Sequence, residues 1–387
     1  MTHISIVSFD ALPLLVPDAP GGIGGAEVRA VTFARGLKRL GTYEIDFILA
    51  DRPELPKSAE GFQLLPYRKP KTAPLMKLRR SIETRLTGRP QPDGFFKQLD
   101  SEIVFCFGLR NDTAGIVRAC RESGKKSVVF LTSDRNLADA QRHGRRDRGL
   151  YGELGDLCRY SLHAADCIAV QSPFQLEELR RTQGLTGHLI RNPIDLNKCG
   201  IDSGPFDRPV ALWVGRADTF SKRADLCIEV ARLIPAVEFR MVMNNHDSST
   251  FDAIAASAPE NVKIIERVPF EEIENHYASA TVFINTSSAE GFPNSFLQAA
   301  KYGSPIVSLD VDPGDMLGKH GGGYCARGDL NRMADMIASL CRDAELYQRY
   351  SRQAEAYVQR YHAAEDRYRE LDSILQTFAN RPQQHAA

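Results

Sequence analysis

Apolar and polar positions along the chain fall into two alternating periods. Short runs that are apolar at nearly every position, His3–Phe9, Ile45–Ala50, Ile103–Phe107, Ser127–Leu131 and Cys167–Val170, read as strands buried on both faces. Between them, Ala26–Leu40, Asn111–Arg121, Leu150–Ala164 and Pro173–Gln183 repeat apolar residues at helical spacing. The alternation predicts a parallel sheet covered on both faces. Around Asn192–Pro209 the periodicity fails, with Pro193, Gly200, Gly204, Pro205 and Pro209 close together, which marks a domain boundary. It then restarts through Val210–Val214, Ala224–Leu233, Phe239–Met243, Val262–Ile265, Glu271–Ala278, Val282–Ile284, Phe296–Tyr302 and Ile306–Leu309. From Asn331 to Ala379 the pattern is almost wholly helical and long enough to cross back onto the first domain. The expected architecture is α/β, with two tandem doubly wound domains at residues 1–200 and 201–365. Residues 366–387 form a helix and tail packing back on the first domain. Such domains leave a cleft lined by strand carboxyl ends.

One stretch carries the clearest chemistry. In TVFINTSSAEGFPNSFLQAAKYGSPIVSL, residues 281–309, a β-branched run ends in small polar residues and then Glu290-Gly291-Phe292-Pro293-Asn294. Pro293 suits a first helical turn and Gly303 a helix stop, giving strand, acidic loop, helix, strand. A helix N-terminus favours an anion, and Glu290 supplies a carboxylate that accepts hydrogen bonds from hydroxyls. That combination suits a sugar nucleotide. In VALWVGRADTFSKRADL, Arg216 follows a strand and Lys222 opens a helix, so both reach one diphosphate. A third loop, GGIGGAE at Gly21–Glu27, follows the first strand, and Gly24 and Gly25 let a phosphate approach the backbone. It departs from the dinucleotide fingerprint, because the last glycine position is Glu27 and three prolines lengthen the preceding turn.

Composition narrows the field further. The 387 residues are 43% hydrophobic and 25% charged, as in a globular protein. Forty-nine basic and 49 acidic residues cancel, so no overall field draws nucleic acid. Apolar runs are strand-sized and the N-terminus lacks a signal-like core, which points to the cytoplasm. Eight scattered cysteines without a C-x-x-C pair read as reduced, buried thiols, and the nine histidines show no metal-ligand spacing. Asp310-Val311-Asp312 spells a metal–diphosphate motif, but it precedes a Pro313-Gly314 turn and lies past the donor loops. No metal and no cofactor are expected. Residues 68–89 hold eight Lys or Arg against Glu83, with Leu75, Leu78, Ile82 and Leu86 at helical spacing. They read either as peripheral contact with an anionic membrane, to which Arg142–Arg148 adds, or as a solvated helix packing on its own domain.

GGAE, HLIRNPIDL, VGRADTFSKRADL and SSAEGFPNSFLQAAKYGSPIVSLDVDPGD, in this order, resemble the family 4 glycosyltransferases, which are retaining enzymes of the GT-B fold with two Rossmann-like domains. The likeness is to polysaccharide-biosynthesis members. It implies that Arg216 and Lys222 hold the donor diphosphate, that Glu290 contacts the sugar, and that Gly291, Phe292, Pro293 and Asn294 cradle it. Gln298 stands where the family's second Glu binds ribose, and its amide still hydrogen-bonds hydroxyls. The donor pocket is completed by Asn244, Arg267 and Val268. Leu131-Thr132-Ser133-Asp134 replaces the usual sugar-facing His, so Thr132 or Asp134 takes that contact. The implied activity moves a sugar from a nucleoside diphosphate to a glycan or lipid-linked acceptor, at or near the inner face of the cell envelope. A sugar-nucleotide epimerase, a nicotinamide-dependent oxidoreductase and a non-catalytic assembly protein are the competing readings.

Overall fold

The computed structural model describes residues 1–69, 89–144, 146–198, 209–245, 247–266, 268–269 and 272–379. The chain divides into two compact units. One comprises Met1–Pro193 together with Glu365–Ala387, and the other Ile194–Ala364.

The first unit is built on an eight-stranded sheet. Its strands are β1 (Thr2–Val7), β2 (Tyr43–Ala50), β3 (Ser58–Ala59), β4 (Phe62–Tyr67), β5 (Ile103–Phe107), β6 (Lys126–Phe130), β7 (Cys167–Val170) and β8 (His188–Leu189). The spatial order is β3-β4-β2-β1-β5-β6-β7-β8, and only the short β3–β4 hairpin is antiparallel. Ile4 and Ile6 on β1, and Val104 and Phe105 on β5, are fully buried, as their unbroken apolar runs require. Sequence order reverses between β1 and β5. In doubly wound sheets that switch point is where ligands bind, outside the carboxyl ends of the strands. The helix Ala364–Ala379 packs by its buried Tyr368, Leu371 and Leu375. Tyr368 explains Gly36 in the helix Gly25–Arg39, because a Cβ there would lie 2.2 Å from the Tyr368 ring. The Tyr43 hydroxyl donates to Asp372 at 2.6 Å.

The second unit repeats the plan with six parallel strands. These are β9 (Val210–Arg216), β10 (Glu238–Asn244), β11 (Val262–Ile265), β12 (Val282–Asn285), β13 (Ile306–Ser308) and β14 (Gly323–Cys325). Their order, β11-β10-β9-β12-β13-β14, places the switch point between β9 and β12. Side chains alternate across the sheet. Trp213, Met241 and Ile284 face the helices Ala224–Leu233 and Leu330–Arg342, whereas Leu212, Val242 and Phe283 face Asn294–Lys301 and Ala344–His362.

Several expected bounds shift. The helix expected over Leu150–Ala164 begins at Gly155. Ahead of it the chain makes a turn: Arg148 bridges Leu154, Gly152 holds φ +86°, and Asn111 clamps the Gly152 carbonyl and the Leu154 amide. The helix expected at Lys222 starts two residues later at Ala224, and Pro293 caps the following helix rather than entering it. Short elements without a clear period escaped the sequence reading, among them β4, β8 and the helix Ser248–Ala256. Most of the basic segment 68–89, Arg267 and residues 199–208 of the boundary stretch lie outside the described residues. No described helix is long and apolar enough to cross a membrane.

Candidate active site

In the second unit, the loops that leave β9 and β12 at the switch point are joined by a dense set of hydrogen bonds. Trp213 on β9 is buried and donates its indole N–H to Thr286 Oγ1 at 3.0 Å. Gly215 is required beside it, because a Cβ would meet the indole at 2.7 Å. Thr286 Oγ1 in turn donates to the Lys222 carbonyl at 2.7 Å. Ser288 adds its amide to the Ser221 carbonyl and its hydroxyl to the Phe220 carbonyl, both at 2.9 Å. Arg223, in left-handed backbone at φ 50°, spreads its guanidinium over the Thr286 and Ser287 carbonyls and Asp310. A buried polar network of this kind is rigid when every member is satisfied.

Asp218 orders the β9 loop from within. Its Oδ1 accepts the amides of Ser221 at 2.7 Å and Lys222 at 2.6 Å, and its own carbonyl accepts Ala224 N–H at 2.9 Å. Arg216, the last residue of β9, lies 3.5 Å from Asp218 Oδ2. The loop therefore holds two cations at the strand's carboxyl end. Lys222 Nζ donates to Glu290 Oε1. With side chains 26% and 18% exposed, that pair is shielded from water yet reachable.

Gly291, Phe292 and Pro293 are buried behind Glu290. The Phe292 ring lies 4.5 Å from the His362 ring and stacks on Tyr357 at 6.3 Å and 10°. Pro293, at φ −65° and ψ 124°, caps the helix Asn294–Lys301, which points its N-terminus at this loop. Asn244 ends β10 in register with Arg216, and its carbonyl accepts Ala217 N–H at 3.0 Å. Gln298 is half-buried on the following helix, and its amide makes no hydrogen bond with a described residue. Val268 packs its side chain on the Phe292–Phe296 core. The second unit thus brings together Arg216, Lys222, Glu290, Asn244 and the Gly291–Asn294 turn. Asp218, Arg223 and Thr286 escaped the sequence reading. The only sequence signal for them was their closeness to Arg216, Lys222 and Glu290.

The acidic pair after β13 serves the fold. Asp310 is held by Arg223 at 2.5 Å, and Asp312 accepts the Leu317 and Gly318 amides at 2.8 and 3.0 Å. Among the described residues no group of His, Cys, Asp or Glu has metal-site geometry.

In the first unit, Gly24 caps the helix Gly25–Arg39 in extended backbone, and Glu27 folds over it so closely that a Cβ would lie 2.3 Å from Oε2. Burial pushes the Glu27 carboxyl above its usual pKa, and the amides of Glu27 and Gly24 pull the other way. Thr132 N–H donates to Asn136 Oδ1 at 2.9 Å, and Asp134 Oδ1 accepts from Gln175 Nε2 at 2.9 Å. Beneath them lies the fully buried Arg29. Its guanidinium donates to the Leu131 and Ile190 carbonyls at 2.9 and 2.8 Å and packs on Phe33 and Phe130. Desolvation lowers its pKa to about 9, which leaves it charged at neutral pH. Gln171 Nε2 joins it on the Leu131 carbonyl at 2.6 Å.

Comparison with known proteins agrees with this layout. A family model described as "Glycosyltransferase Family 4" matches residues 23–198, and one described as "Glycosyl transferases group 1" matches residues 208–343. The lipopolysaccharide 1,6-galactosyltransferase of Salmonella typhimurium is 22% identical over 235 residues, which span 58% of this chain and 60% of that protein. Sucrose-phosphate synthase from Thermosynechococcus elongatus superposes with a TM-score of 0.77 at 16% identity, covering 98% of this chain and 100% of that one. HepE of Anabaena, solved with UDP and glucose, gives 0.68 at 14% identity, covering 97% and 100%. Paired parallel-sheet units and two family matches spanning residues 23–198 and 208–343 place this chain among the family 4 glycosyltransferases, with the GT-B fold.

Proposed function

We propose that this protein transfers a sugar from a nucleoside-diphosphate sugar to a hydroxyl of a glycan or lipid-linked glycan acceptor. The observation that carries the reading is the placement of Arg216, Lys222 and Glu290 on two interlocked loops at the β9/β12 switch point. Breaking the anomeric bond sends its electron pair to the departing diphosphate and leaves cationic character on the sugar. Arg216, Lys222 and the N-terminus of the helix Asn294–Lys301 stabilise the diphosphate charge, a task that a divalent metal performs in other enzymes. Glu290 binds sugar hydroxyls and its negative charge favours the developing cation. The acceptor oxygen bonds to the anomeric carbon and gives its proton to the leaving phosphate oxygen. Attack from the side that the phosphate leaves gives retention, as the family resemblance implies.

Two relatives support the choice of substrates. HepE was solved with UDP and glucose, and the Salmonella relative is a lipopolysaccharide galactosyltransferase. A UDP-hexose donor and an envelope glycan acceptor follow as the first pair to assay. Thr132 and Asp134 serve the acceptor or sugar side, Gly24 and Gly25 let a donor phosphate approach the backbone, and Gln298 takes the ribose contact. An acceptor on lipid brings the enzyme to the inner membrane face, with residues 68–89 as the contact.

The test is acceptor-dependent release of nucleoside diphosphate from a panel of UDP-, GDP- and ADP-sugars, in the presence of a chelator. Release that needs an oligosaccharide acceptor and survives chelation supports the reading. Release or epimerised donor without an acceptor assigns an epimerase, and loss of turnover on chelation removes the metal-free mechanism.

A further inference from the structure

Away from the donor loops, the second unit carries a depression of about 800 Å3 along the outer edge of its sheet. Strand β14 forms one wall and pairs only with β13 among the described strands. The chain at Leu317–Gly321 and the helices Leu330–Arg342 and Ala344–His362 form the others.

The charge in this depression is lopsided. Lys319, Arg327, Arg332 and Arg349 line it against Asp310 and Asp312. Asp310 is paired with Arg223, while Asp312 accepts the Leu317 and Gly318 amides and keeps its charge, so four cations face one carboxylate that no cation holds. Arg332 meets Asp329 at 3.4 Å in a solvent-exposed pair, which neutralises little. Lys319, Arg327 and Arg349 form no ion pair with any described residue. Like charges gathered in one concavity repel until a counter-charge enters. Arg327 also holds φ +53°, a left-handed backbone that non-glycine residues adopt at a cost and that collects at ligand sites. Tyr324 and Tyr350 supply ring surface on the same walls, and the Arg349 guanidinium sits 5.3 Å from the Tyr350 centroid.

We infer that this edge depression binds a soluble phosphomonoester, such as a sugar phosphate, at a site separate from the donor loops. Guanidinium forks match phosphate oxygens in pairs, and a dianion offsets the uncompensated cations. The tyrosine rings fit the carbon portion of a small molecule. A volume within the range of about 300–1,000 Å3 usual for small-molecule sites suits a free ligand better than the plane of a bilayer.

Ribose 5-phosphate titrated calorimetrically into the full-length protein tests this. Three proteins are compared: wild type, the double variant Arg327→Gly with Arg349→Gln, and Lys222→Met. Glycine accepts the positive φ at position 327 and Arg349 is an exposed helical residue, so the double variant should keep the wild-type melting temperature. Wild type and Lys222→Met should bind equally, the double variant about tenfold or more weakly, and salt should weaken all binding. The inference is overturned by no saturable binding to wild type, by equal binding to the double variant, or by loss in Lys222→Met, which would put the ligand on the donor loops. Binding to phosphatidic acid vesicles without binding of ribose 5-phosphate would also overturn it.

Discussion

Lys222 and Glu290, 68 residues apart in sequence, form an ion pair across the loops that leave β9 and β12. The cation assigned to the diphosphate and the carboxylate assigned to the sugar are thereby held together by the fold itself. Under the proposed function, a donor entering this loop offers Lys222 a stronger, doubly charged partner and releases Glu290 toward sugar hydroxyls. Lys222→Met and Glu290→Gln should each lower kcat/KM by about two to three orders of magnitude, or about 3–4 kcal/mol. Because the two groups act as a unit, the double variant should lose far less than the sum. Strictly additive losses, measured by steady-state kinetics on all four proteins, would show that they act independently.

Asp218 is the internal clamp of the loop that follows β9. Asp218→Ala leaves the Ser221 and Lys222 amides without their acceptor and frees Arg216 from its neighbour. Loss of such buried hydrogen bonds costs about 1–3 kcal/mol. The expected result is a melting temperature lower by about 2–8 °C and a raised donor KM. An unchanged KM for the donor would remove the loop from the donor site.

Much of this geometry was legible in the sequence, and the reason is local. Val282–Asn285, Glu290, Pro293 and Gly303 are read from neighbours a few residues away, as are Arg216 and the apolar run before it. The central strands of both units were legible because central parallel strands are apolar at nearly every position, while β4 and the edge strand β8 were not. What escaped depends on partners far along the chain. Trp213 looks like any core residue until Thr286 accepts its N–H, and Arg223 looks like a surface cation until it meets two carbonyls and Asp310. Arg29 would be placed in water by its type, yet two carbonyls and two rings bury it. The pattern extends the helix back over residues 150–154 because Leu150 and Leu154 match the spacing, while Gly149 and Gly152 permit the turn.

Gln298 separates binding from chemistry. Gln298 stands eight residues after Glu290, half-buried on the helix Asn294–Lys301, and the proposed function gives it the ribose contact. Gln298→Glu should change donor affinity and leave turnover at saturating donor unchanged within about twofold. A large loss of saturated kcat would contradict a contact confined to ribose.

Phe292 supports the Gly291–Asn294 turn from behind. Phe292→Ala removes a buried ring packed on Tyr357 and His362 and should destabilise the protein by about 3–5 kcal/mol, read as a lowered urea midpoint. Phe292→Leu, which refills most of the space, should recover over half of that loss. Equal midpoints for the two variants would mean that packing at this position is unimportant.

The central claim is that a nucleotide sugar binds by its diphosphate at Arg216 and Lys222, and calorimetric titration tests it most directly. The wild-type protein should bind at least one of the UDP-, GDP- or ADP-sugars without added metal. Arg216→Ala and Lys222→Ala should each weaken that binding by at least about tenfold while retaining the wild-type melting profile. Unchanged affinity in both variants, or binding of none of the donors by the wild type, would contradict it.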